Sequence, residues 1–96
     1  MIGTSHDMGA CAFDCIQTSA NIFDWEVRHY SSHLEDTDLL SRMQAKNMLK
    51  QSARLYCLIY DDYSPFFVNL GSEFLSRRER AESLLKQLDQ KHEGEQ

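Results

Sequence analysis

AKNMLKQSARLYCLIYDDYSP, residues 45–65, decides the fold class through the spacing of its apolar positions. Ala45, Leu49, Ser52, Tyr56, Ile59 and Tyr63 are separated by 4, 3, 4, 3 and 4 residues. That rhythm returns them to one face of an α-helix, where a strand would need alternation. The same rhythm lies on both sides. Upstream, Ala12, Ile16, Ala20, Phe23, Val27, Tyr30 and Leu34 step by 4, 4, 3, 4, 3 and 4. Downstream, Phe67, Leu70, Phe74, Arg77, Ala81, Leu84 and Leu88 step by 3, 4, 3, 4, 3 and 4, with one polar interruption.

Capping signals divide these runs. Glu35-Asp36-Thr37-Asp38 offers side-chain oxygens to the start of the second helix, and acids suit the positive end of its dipole. Ser64-Pro65 reads as the cap and first residue of the third. Helices are therefore expected near residues 10–33, 37–61 and 65–91. Gly71 opens a second reading, because glycine costs about 1 kcal/mol in a helix interior. In that reading the third helix begins at Ser72 or Ser76, and SPFFVNLG is a packed loop. Short connections make consecutive helices antiparallel, so the expected fold is all-α, an up-down-up three-helix bundle.

Length and composition agree. Ninety-six residues make a single domain, 1–96, with residues 1–9 and 92–96 expected as flexible ends. A hydrophobic share of 42% and a charged share of 26% are those of a globular protein. No apolar run approaches the roughly 18 residues that span a bilayer, so no membrane association is expected. The start, MIGTSHDMGACAF, lacks the basic residue and apolar stretch of a secretory signal. With three cysteines, an odd number, the expectation is reduced thiols in the cytoplasm.

Charge is segregated on a chain of net charge -5. Residues 1–38 hold seven acids and one base, Arg28. Residues 39–60 hold Arg42, Lys46, Lys50 and Arg54 and no acid. Each four-residue step moves about 40° around a helix, so this basic stripe drifts from the core boundary into solvent. Arg42 and Lys46 are expected to pair within the fold, with first-helix acids such as Asp24 and Glu26. Lys50 and Arg54 are expected to face outward, free for an acidic partner surface. Nucleic acid is a poor fit, because four bases on an acidic chain supply little field for counterion release.

Chemical motifs are sparse. Glu26, His29 and His33 form E-x-x-H-x-x-x-H, a spacing that can place metal donors on one helix side. Cys11, Cys15 and His6 are further donors. The matching carboxylates on other helices are missing, so no metal and no cofactor is expected. Arg28 and His33 also stand in an R-x4-H spacing, six residues that occur often by chance, and no phosphate-binding glycine loop is present.

Surplus apolar residues carry more information. Leu39, Leu40, Met43 and Leu58 lie off the seam of the second helix. Either a frayed helix start folds back over the core, or a second chain covers them, and the expectation is a homodimer burying all four. Five aromatics crowd residues 56–67, YCLIYDDYSPFF. Of these, Tyr60, Tyr63 and Phe66 join Lys50 and Arg54 as candidate partner contacts. The expected function is a small non-enzymatic regulatory or inhibitory protein that acts by binding a partner protein. Two alternatives are anion or nucleic-acid binding through the stripe, and a metal-binding or small hydrolytic bundle using Glu26, His29 and His33.

Overall fold

In a computed structural model the backbone is described for residues 4–94 and the side chains for residues 10–89. Three long helices make up the fold: α1 (Thr4–Tyr30), α2 (Leu39–Tyr63) and α3 (Ser72–Gly94). Among the described residues there is no strand. The molecule is a rod of 55 × 19 × 18 Å.

α1 ends at Tyr30 and passes into a single 3-10 turn, Ser31–Glu35, so the helix expected to reach residue 33 stops short. α2 begins at Leu39, two residues later than expected, because Asp38 is the acid that caps it. Its carboxylate accepts from the Ser41 backbone N–H at 3.2 Å and from the Ser41 hydroxyl at 2.8 Å. Those two bonds hold the Asp38 carboxyl below its usual range.

The third helix departs most from the first expectation. Ser64–Phe66 is a 3-10 turn, Phe67 is extended, and α3 starts only at Ser72. The second reading of the sequence therefore holds. A helix through this segment would swing Phe67 around with its neighbours. The extended backbone instead lets its ring meet Phe13 of α1, edge to face at 6.2 Å. Phe67 and Leu70 both pack onto the core from this loop. Residues 4–9 and 92–94, expected as loose ends, continue α1 and α3; residues 1–3 and 95–96 lie outside the described residues.

The core follows the three sequence seams. Ile16, Ala20, Phe23, Ala53, Tyr56, Phe74 and Ala81 form one buried cluster. Phe23 and Tyr56 stack with ring centroids 6.1 Å apart and planes 3° from parallel. Small residues at Ala20, Ala53 and Ala81 leave room for those two rings between the helices. Tyr56 also donates from its hydroxyl to the Phe74 carbonyl at 2.6 Å, which ties α2 to the first turn of α3. Burial pushes that hydroxyl's pKa well above the usual tyrosine range. Lys50 pairs with Asp89, and Asp61 with Arg78, so α2 and α3 run in opposite senses.

Candidate interaction surface

The basic stripe is arranged differently from its sequence expectation. Lys50, expected to be free, pairs with Asp89 of α3 at 3.0 Å. Asp89 sits below the usual carboxylate range, first through the Lys50 bond and then through the fields of Lys50, Arg54 and Lys46. Three of the four bases thus converge electrostatically on one α3 acid. Arg42, expected to pair, has its Nε buried with no hydrogen-bond partner. The first-helix acids are not the partners either. Asp24 takes Arg77 at 2.8 Å, and Glu26 is buried. Arg54 is exposed, and Lys46 is half-buried. The reason is position: the stripe winds toward α3, and α3 brings its own acid.

The aromatic candidates also divide. Tyr60 and Tyr63 are half-buried and pack against the core, whereas Phe66 is exposed. Leu39, Leu40, Met43 and Leu58 are 60%, 72%, 52% and 61% exposed, so the helix start does not fold back over the core. They do not make one patch. Met43 and Leu58 are 15 residues apart on a straight helix, about 22 Å. Arg54 and the exposed Gln51 stand between them.

Of the three residues with metal spacing, His29 and His33 remain ring neighbours with centroids 6.2 Å apart, and Glu26 does not join them. The Glu26 carboxylate is buried, and its Oε2 finds no hydrogen-bond partner. His29 stacks on Trp25 with centroids 4.6 Å apart. His33 lies on the 3-10 turn beyond the helix, its Nδ1 2.8 Å from Asp36 Oδ2. Among the described residues no three His, Cys, Asp or Glu side chains gather as a metal site. Cys11 and Cys15 are exposed, and the His6 side chain lies outside the described residues. Arg28 instead borders an open groove between α1 and α3, shared with Asp24, Glu73, Arg77 and Arg80. Its mixed charges do not favour a polyanion.

One surface was missed by the sequence reading. Ile22 and Trp25 are 43% and 54% exposed on α1, next to His29 and in line with Cys15. The signal was present as a second helical spacing, offset from the core stripe by a fraction of a turn. No helix of the described residues is long and apolar enough to cross a membrane. Comparison with family models, curated proteins and solved structures finds no significant match.

Proposed function

We propose that this protein is a non-enzymatic helical module of regulatory or inhibitory type, which acts in the cytoplasm by covering a partner protein's surface and itself forms a homodimer. The supporting observation is the surplus of exposed apolar side chains beyond the core. Among the described residues, eleven large hydrophobics are exposed. Seven of them are grouped at the start of α2 (Leu39, Leu40, Met43), along α1 (Ile22, Trp25) and around the α2–α3 corner (Phe66, Val68). Grouped exposure of this kind marks contact surfaces.

The partner face in this reading is the Leu39–Leu40–Met43 cap of α2, with Phe66 and Arg54 as further contacts. Lys50 drops out, being held by Asp89. The anion reading loses its centre with Lys50, and the metal reading keeps His29 and His33 as neighbours but has no third donor beside them among the described residues. The test is capture of native partners on immobilised wild-type protein and on Leu40→Glu. Partners retained by the wild type and lost from Leu40→Glu support the cap. Retention by both removes it.

A further inference from the structure

Along α1, Cys11, Cys15, Thr18, Ile22, Trp25 and His29 recur at 4, 3, 4, 3 and 4 residues, and all six are exposed. The alternation of 4 and 3 repeats every seven residues, the heptad pattern that keeps a stripe facing a second helix over several turns. The stripe has two flanks. On one, Ala12, Ser19 and Glu26 are buried in the chain's own bundle. On the other, Asp14, Asn21 and Arg28 are exposed. An acid thus stands seven residues before Asn21 and a base seven residues after it.

That flank identifies the occupant. We propose that a second copy of this chain docks here, α1 against α1 in the antiparallel sense, about a twofold axis passing beside Asn21. In this register Thr18 meets Ile22 of the second copy, Cys15 meets Trp25, and Cys11 meets His29. The same register sets Asp14 opposite Arg28 twice, once on each side of the axis, and Asn21 opposite itself. A parallel pairing sets the open flank of each copy against the buried flank of the other, whose one acid, Glu26, is buried in its own bundle, so Arg28 finds no exposed acid. Complementarity therefore selects both the occupant and its direction.

Trp25 anchors each end. Its indole stacks on His29, 17° from parallel, and meets Tyr30 edge to face at 6.4 Å. Such a braced aromatic loses little side-chain freedom on docking. From Cys11 to His29 the seam is about 27 Å long, a small interface, so association falls in the micromolar range. The proposal rests on the dimer part of the functional reading, but it uses α1 and leaves the α2 cap free.

Sedimentation velocity over a micromolar concentration series tests it. The wild type passes from monomer to dimer, and emission from Trp25, the one tryptophan of the chain, shifts to the blue in step. Ile22→Glu stays monomeric with native helicity, while Leu40→Glu dimerises as the wild type does. Asp14→Arg and Arg28→Asp each weaken association by about tenfold, and the two together restore it. Under mild oxidation the wild type forms no interchain disulfide, because like cysteines of the two copies lie at least about 15 Å apart in this register. Asn21→Cys cross-links. A folded protein that stays monomeric throughout overturns both this dimer and the dimer part of the functional reading. A dimer lost in Leu40→Glu and kept in Ile22→Glu overturns the α1 assignment alone. A wild-type disulfide joining Cys11 or Cys15 of the two copies overturns the antiparallel sense.

Discussion

α1 and α3 both pack on α2, yet they finish their outer surfaces by opposite means. α3 is fastened by charge. Arg78 makes two bonds to Asp61, at 3.0 and 2.9 Å, and a third to Glu82 at 2.9 Å, while Asp89 takes Lys50. Its one large exposed hydrophobic among the described residues is Leu75. α1 instead meets α2 through packing, with Phe23 flat against Tyr56, and turns Ile22 and Trp25 outward. Charged faces are complete once solvated. An outward apolar stripe gains only when another surface covers it, so the two helices have different unfinished business with their surroundings.

The largest effect should come from breaking α1's inner face. Phe23→Ala removes a fully buried ring that stacks on an equally buried one, at an expected cost of about 3–5 kcal/mol. Total stability for a domain of this size is about 5–15 kcal/mol, so urea unfolding will show a large loss or a chain that no longer folds. Ile22→Glu, one residue away on the outward face, should change monomer stability by less than about 0.5 kcal/mol. If the two variants cost the same, the division of α1 into a core face and a docking face is wrong.

Glu26 sharpens the comparison in the other direction. On α3 the acids Glu82 and Asp89 stand at the surface with basic partners. On α1 the Glu26 carboxylate is buried with Oε2 unpartnered, an arrangement that opposes folding. Glu26→Met keeps the volume and removes the polar group. It should raise stability by about 1–3 kcal/mol in chemical denaturation. A loss instead would mean that Glu26 has a donor on which the α1–α2 contact depends.

Acid should act on α3 before α1. Arg78's hydrogen bonds hold the Asp61 carboxyl below its usual range, and Lys50 does the same for Asp89. A carboxyl with a lowered folded pKa adds stability above its unfolded value, near about 4, and loses that stability as pH falls through the folded value. Both groups are partly exposed, so the effect is modest. Below about pH 4, amide exchange should quicken in α3 while the amides around Phe23 stay protected. Equal loss in all three helices would show that these pairs do not fasten α3 in particular.

How much of this was legible in the sequence differs by element. The three seams were, because Ile16, Phe23, Leu49, Tyr56 and Leu88 are buried where a helical period puts them. The start of α3 was not settled, since Ser64-Pro65 and Ser72 are both acceptable starts by local chemistry. Contact between Phe67 and Phe13, far apart in sequence, decides between them. The stripe was legible as a pattern and not as an arrangement. Which acid meets Lys50 depends on the side from which α3 arrives, and helical period carries no such information. The second stripe of α1 was written in the same alphabet as the first, but Cys, Thr and His score weakly as apolar and hid it.

The smallest effect concerns two neighbouring bases of that stripe. Lys50 is half-buried against Asp89, whereas Arg54 is exposed and contributes to Asp89 only through its field. Lys50→Glu replaces an attraction with a repulsion across the α2–α3 contact. Arg54→Glu changes a charge surrounded by water. The melting temperature should therefore fall slightly for Lys50→Glu and hardly at all for Arg54→Glu. The difference should shrink in high salt, because screening weakens a partly exposed pair and leaves packing untouched. If both variants melt together at low salt, Lys50 holds α3 no more than any surface base does, and the charge-fastened description of that helix must rest on Arg77 and Arg78.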